Sequence, residues 1–222
     1  EIYGAGYNPQ GQLGNLSTTN VSFPLVKAES GGWKSIATQL SESAARILIN
    51  GNVMASGANG SGQFGNGTTV SSLSTNIGGS GKQVVCAGGS IFQINTGNNM
   101  FVCGANGFGG LGIGHRSPIS NAVQLGSNVW SQVSSNGNTT AAIRTNGTLW
   151  TWGLNNYGQL GDETVVSKSS PVQTICGGTN WKVVYCGYGH TSAIKTDGTL
   201  WSWGYNYYGQ LGNGTSGSGT NS

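Results

Sequence analysis

The chain has 222 residues, of which 41 are glycine and only 7% are charged, against about 25% in typical domains. Its net charge of +3, from nine Lys and Arg against six Asp and Glu, lacks the dense basic face of a nucleic-acid module. No apolar run approaches the roughly 18 residues of a membrane span, and seven Trp, eight Tyr and five Phe, each burying about 150–250 Å² when packed, exclude a disordered Gly/Asn/Ser tract.

The first element met along the chain is the segment Gly6-Tyr7-Asn8-Pro9-Gln10-Gly11-Gln12-Leu13-Gly14, and it recurs. Copies follow at Gly57–Gly65, Gly104–Gly112, Gly153–Gly161 and Gly204–Gly212, with leading glycines 51, 47, 49 and 51 residues apart. Even spacing at this period marks a repeat architecture. A second motif keeps phase with it. Trp181-Lys182-Val183-Val184-Tyr185-Cys186 leads into His190-Thr191 and then Asp197-Gly198; earlier copies run from Trp130, Trp33 and Lys82. The dipeptides Asn50-Gly51, Asn146-Gly147 and Asp197-Gly198, with Gly97-Asn98 in the remaining copy, are two-residue hairpin turns that need positive φ.

Each period therefore reads as one antiparallel sheet. In the last, strands are expected at Val183-Val184-Tyr185, Thr191–Thr196 and Thr199–Trp203, with a weaker fourth in the variable segment around Pro171-Val172-Gln173. No helical period stands out. The fold class is all-β, a β-propeller of tandem blades of about fifty residues. The period limits fall at about 14–65, 66–112, 113–161 and 162–212, with a partial signature at 1–14 and a linker-like tail at 215–222.

The segments Trp150–Gly161 and Trp201–Gly212, both W-x-W-G-x-N-x-x-G-Q-L-G, with His190-Thr191 and Asp197-Gly198 upstream, resemble the regulator of chromosome condensation repeat family. The resemblance implies a propeller, commonly of seven blades. It extends to exchange factors for a small nuclear GTPase, a secreted bacterial inhibitor of β-lactamases, and repeat proteins that bind other proteins. No segment here matches the exchange-factor loop surface, and fold alone does not give function. Seven blades would take about 350 residues. The chain opens on Glu1, inside a repeat, so it reads as part of a longer polypeptide, or as a ring completed by other copies or neighbouring domains.

No catalytic, cofactor or metal site is expected. The two G-x-G-x-x-G matches, Gly60–Gly65 and Gly107–Gly112, lie on the signature with no helix to receive a phosphate. His115 and His190 are isolated, and the position of His190 is filled by Thr139 and Ser90 elsewhere. Cys86, Cys103, Cys176 and Cys186 form no C-x-x-C pair; they read as half-buried strand residues, with a Cys176–Cys186 disulfide as the oxidised alternative. Trp152 and Trp203 are expected between blades, with Tyr3, Ser56 and Cys103 near the same region. The signature Asn residues are expected to bond loop backbone. Lys34, Lys82 and Lys182 share one phase and Arg144 and Lys195 another, either as exposed strand charge or as a mild basic rim. The Asn-x-Ser/Thr sites, including Asn59, Asn66, Asn146 and Asn213, coincide with turns.

These residues point to a non-enzymatic protein-interaction or structural module that meets protein partners through inter-strand loops such as Asn15–Gly32 and Thr164–Asn180. The uncharged Asn/Thr/Ser/Gly surface suits a secreted protein, a cell surface or a virus particle. The alternatives are a small-GTPase exchange regulator and a secreted enzyme inhibitor.

Overall fold

The computed structural model describes residues 3–27, 32–38 and 42–217. All its regular structure is β. Two units are distinguished: residues 1–105 with 118–126, and residues 106–117 with 127–222. The tail placed at 215–222 lies, from 218 onward, outside the described residues.

In the first unit, β1 (Tyr3–Gly6) pairs with β2 (Val21–Lys27). A four-stranded antiparallel sheet follows, β3 (Trp33–Thr38), β4 (Ser43–Leu48), β5 (Val53–Gly57) and β6 (Ser72–Gly78). Then come β7 (Gly81–Ala87), β8 (Ser90–Asn95) and β9 (Asn99–Gly104), with the first part of β10 (Ile119–Ser135) beside β9. In the second unit the rest of β10 pairs with β11 (Thr139–Arg144), followed by β12 (Leu149–Gly153) and β13 (Lys168–Gln173). A three-stranded sheet of β14 (Trp181–Cys186), β15 (His190–Lys195) and β16 (Leu200–Gly204) ends the described chain. The strand around Pro171-Val172-Gln173, expected with those of residues 183–203, instead pairs with β12 of the preceding sheet, so β6 and β13 each come from the variable segment beyond the signature of the sheet they join.

Local chemistry explains the regularity. The hairpin turns carry the positive φ that their sequence demands, at Gly51, Gly147, Gly198 and, where the order is reversed, Asn98. Beyond the turns, side chains alternate across each pleat. In β14, Trp181 and Val184 are buried while Lys182 and Tyr185 are exposed. A one-residue register shift recurs at the same phase of four repeats, between Trp33 and Ser35, Gly81 and Gln83, Trp130 and Gln132, and Trp181 and Val183. A bulge of this kind turns its extra residue out of the ladder. That residue is Lys34, Lys82, Ser131 or Lys182, which accounts for the shared phase of the three lysines.

The core of the first unit centres on Ala45, Ile47, Val53, Ala55, Phe64, Val84, Cys86, Ile91 and Cys103. That of the second centres on Ala141, Ile143, Leu149, Trp181, Val184, Ala193 and Trp203. Both join residues of successive sheets.

Candidate interaction surfaces

The signature loops are built around one amide. Asn8, Asn59, Asn106, Asn155 and Asn206 are all buried. In each, Oδ1 accepts from the backbone N–H five residues on, at 2.8–3.0 Å: Leu13, Phe64, Leu111, Leu160 and Leu211. Nδ2 donates to the carbonyl nine residues on and, in the first four loops, also to the carbonyl eleven residues on; Asn155 reaches Thr164 at 2.9 Å and Val166 at 3.3 Å. An amide is the side chain that offers both donors and acceptors here. The signature Asn is a loop staple.

The leading glycine has an equally local cause. At Gly153, φ is +100° and a Cβ would lie 2.0 Å from the Asn138 carbonyl oxygen. The turn between the first two strands of a sheet therefore stacks directly on that sheet's signature loop, as the Leu154 N–H to Asn138 oxygen bond shows at 2.9 Å.

The residue before that glycine bonds back to the preceding loop. Trp152 Nε1 donates to the Gly110 carbonyl at 2.7 Å and Trp203 Nε1 to the Gln159 carbonyl at 2.9 Å. Cys103 Sγ and Ser56 Oγ donate to the equivalent carbonyls of Gln63 and Gln12, at 3.1 and 3.3 Å. Tyr3 does not belong to this set. It stands three residues before its glycine, where other repeats have Trp150 and Trp201, and it is exposed.

The expected acceptor sites for glycosylation resolve into turn chemistry. Asn66, Asn146 and Asn213 each accept from the hydroxyl of the Thr two residues on, at 2.7–2.8 Å. Asp162 and Asp197 make the same bond, so a carboxylate serves as well as an amide. Asn59 is buried. The Thr164 hydroxyl and N–H and the Asn155 amide all donate to Asp162, holding its carboxyl below the usual range although burial opposes this.

Among the described residues, no three of His, Cys, Asp and Glu converge. His115 Nδ1 accepts from the Ser117 N–H. Desolvation lowers the pKa of His190, whose ring packs where a Gly187 Cβ would stand. Within the G-x-G-x-x-G segments, Phe64 and Leu111 are buried and their N–H groups are taken by Asn59 and Asn106. All four cysteines are free thiols, so the Cys176–Cys186 pairing is not formed. Cys86 and Cys103 both pair with Ile91 from opposite sides, two strand spacings apart at about 4.8 Å each, too far for a disulfide. Burial pushes the Cys86, Cys103 and Cys186 thiols up to about 12.

Arg144 and Lys195 lie on tryptophan faces. The Arg144 guanidinium sits 3.6 Å from the Trp150 ring centroid and 5.3 Å from that of Trp130. Lys195 Nζ sits 4.3 Å from Trp201 and 4.7 Å from Trp181. The shared phase of these two cations is thus a repeated cation–π contact near the hairpin turns.

The opposite ends of the same sheets are aromatic and uncharged. Tyr157 and Tyr205, on successive signature loops, have ring centroids 4.5 Å apart. Tyr205 and Tyr207 are parallel at 6.2 Å, and Tyr208 stands edge-on to both. Tyr188, in the adjoining turn, is 89% exposed and Tyr208 is 80% exposed. Loop residues 154–160, 187–189 and 205–211 contain no Asp, Glu, Lys or Arg. A larger groove of about 730 Å³ runs along β16, lined by Trp181, Trp201, Trp203 and Ile175 among others. Its exposure follows from the open edge of β16, which has no fourth strand beside it among the described residues.

Residues 146–194 match the model described as regulator of chromosome condensation (RCC1) repeat, and residues 130–159 and 181–210 match a second model of the same description. The chain is 30% identical to the ultraviolet-B receptor UVR8 of Arabidopsis thaliana, over 96% of this chain and 51% of that protein. It is 33% identical to the secretion-regulating guanine nucleotide exchange factor of Bos taurus, over 51% of this chain and 25% of that one. The structure of Prp20p from Saccharomyces cerevisiae, described with its binding properties to Gsp1p and histones, superimposes with a TM-score of 0.75 at 17% identity, over 96% of this chain and 53% of that one. The fold is a β-propeller fold. The chain spans about half the length of the plant receptor and a quarter of the exchange factor.

Proposed function

We propose that this chain, which belongs to the regulator of chromosome condensation repeat family, is a non-enzymatic protein-interaction module that receives its partner on the signature-loop end of its sheets. The observation that carries this reading is the tyrosine surface formed by Tyr157, Tyr188, Tyr205, Tyr207 and Tyr208. Tyrosine supplies large contact area at little entropic cost, and interface anchors are enriched in it. The loops that carry these rings are fixed by Asn155 and Asn206, so little ordering free energy is lost on binding. The binding of Gsp1p and histones described for Prp20p supports a protein as the partner class.

The test is site-specific photo-cross-linking in the native source, with the cross-linker at Tyr208 or at Thr199 on the opposite hairpin. A partner captured from position 208, and lost from a folded Tyr157→Ser/Tyr205→Ser variant, supports the reading. The same proteins captured equally from both positions would overturn it.

A second reading, regulation of a small GTPase, is favoured by the name of the bovine relative. Release of labelled nucleotide from a panel of small GTPases, accelerated by this chain, would select it. The setting we propose is extracellular, at a cell surface or on a virus particle. It rests on the low charge and Asn/Ser/Thr-rich composition. Protease accessibility on intact cells tests it, and protection until lysis would refute it.

A further inference from the structure

We propose that Arg144 is the centre of an oxyanion-binding site at the hairpin end of the second unit, remote from the tyrosine surface and independent of its role. A pocket of about 210 Å³ is lined by Ser127, Asn128, Val129, Arg144, Thr145 and Asn146, large enough for a carboxylate or phosphate group. Its only charged wall is the guanidinium. The guanidinium carbon lies 3.6 Å from the Trp150 ring centroid, a contact that holds the group at the pocket. A planar guanidinium suits bidentate recognition of an oxyanion.

Three observations make a ligand more than a geometric possibility. No carboxylate among the described residues pairs with Arg144; in this unit Lys168 pairs with Asp162. Arg144 Nε is buried without a hydrogen-bond acceptor, and so is the indole Nε1 of Trp130, whose ring lies beside the same guanidinium. Two buried donors without acceptors are costly. Beside Val129, the remaining pocket wall carries the polar residues Ser127, Asn128, Thr145 and Asn146. Desolvation also lowers the Arg144 pKa, a penalty that an arriving anion would relieve. The next repeat is different: Lys195 occupies the equivalent place, and Lys cannot present a fork.

The oxyanion could be the side-chain carboxylate of a protein partner or free inorganic phosphate. Titration of the ¹⁵N-labelled chain with sodium acetate and with sodium phosphate, at constant ionic strength, separates these sources. The readouts are the Trp130 indole N–H and the backbone amides of Ser127 to Val129. We expect a saturable shift of these signals, with acetate or phosphate reaching half-saturation first according to the source. Arg144→Gln should abolish it, and Arg144→Lys, which keeps the charge, should weaken it about tenfold or more. Should Arg144→Gln alter the remainder of the spectrum, Asn128→Ala in exposed backbone carries the same comparison. Non-saturating shifts with both anions, or a response unchanged in Arg144→Gln and in Asn128→Ala, would overturn the proposal.

Discussion

Replacing Asn155 tests whether the signature is a staple. Asn155→Ala removes one acceptor and two donor functions from a fully buried side chain. The Leu160 N–H, buried in turn, is left without a partner. An orphaned buried donor costs about 1–3 kcal/mol, and each lost hydrogen bond adds about 0.5–1.5 kcal/mol. The sum is about 2–6 kcal/mol, or a Tm about 4–24 °C lower for a domain of this size. Asn156→Ala, one residue away and exposed, should stay within about 0.5 kcal/mol. Asn155→Asp sharpens the test. The new carboxylate keeps the Leu160 bond but faces the Thr164 and Val166 carbonyls and the Asp162 oxygen that Asn155 now contacts at 3.0 Å. Two like charges at this separation repel by about 1.4–5.5 kcal/mol at effective dielectric constants of 80 to 20. At Asn206 the corresponding partner is Asn213, so Asn206→Asp should cost less by that amount. The Asn155→Asp carboxyl would be destabilised as an anion, raising its folded-state pKa. Its penalty is then full at neutral pH and shrinks as pH falls and the acid protonates. Thermal unfolding from pH 7 to pH 4 reads all four variants. Equal midpoints for Asn155→Ala and Asn156→Ala, or for the two Asp variants at pH 7, would refute the reasoning.

Gly153→Ala should cost more than the roughly 1–2 kcal/mol of a left-handed alanine, because its Cβ would also meet the Asn138 carbonyl at 2.0 Å; an unchanged Tm would contradict this. Trp203→Ala, emptying a buried site and removing one of the two donors to the Gln159 carbonyl, should lose about 3–5 kcal/mol. Lys195→Ala should lose only the roughly 0.5–1 kcal/mol of an exposed cation–π contact, and denaturant midpoints distinguish the two. Iodoacetamide at pH 8 should add one carbamidomethyl group, at the exposed Cys176, because Cys86, Cys103 and Cys186 stay protonated; mass spectrometry showing rapid addition of two or more would count against the buried-thiol assignment.

The sheets were legible because their determinants are local. A positive-φ dipeptide, an alternating strand and a turn amide each announce themselves within ten residues, as Asn146-Gly147 and Asn155 do. The four-stranded limits were harder to read. The fourth strand carries no signature: a strand was expected around Pro171-Val172-Gln173, but only the pairing of Lys168–Gln173 with β12 shows which sheet it joins. The tyrosine surface was missed because Tyr157, Tyr205 and Tyr208 look like variable positions inside a scaffold motif. Their spacing along the chain gives no hint that successive loops bring the rings within 4.5 Å. A count of aromatics at those loop positions, rising from none in Gly57–Gly65 to three in Gly204–Gly212, was the available signal. The Arg144 pocket was similarly hidden. Its phase with Lys195 suggested strand charge, and only the stacking geometry separates a guanidinium fork from an ammonium.

One position shows how the repeats divide structural work from freedom to vary. The slot before the leading glycine must deliver a donor to the preceding loop's carbonyl, and Ser56, Cys103, Trp152 and Trp203 all do so. Trp152 and Trp203 also fill the space above the previous signature's final glycine, where a Cβ on Gly112 or Gly161 would lie 2.8 and 2.9 Å from Nε1, and Cys103 Sγ would lie 2.8 Å from a Cβ on Gly65. Beside Ser56, Arg46 takes that space instead. It is buried, stacks over Trp33 at 5.2 Å, bonds Ser56 at 3.0 Å, and would lie 1.9 Å from a Cβ on Gly14. The volume and the hydrogen bond are therefore separable requirements, met by one residue in the late repeats and by two in the early one. That division explains why the early signatures are loose in sequence while their loops keep the same staple. It also means that fixing the scaffold consumes the inward-facing positions and leaves the loop tips unconstrained by it, and on those tips the second unit has gathered its tyrosines.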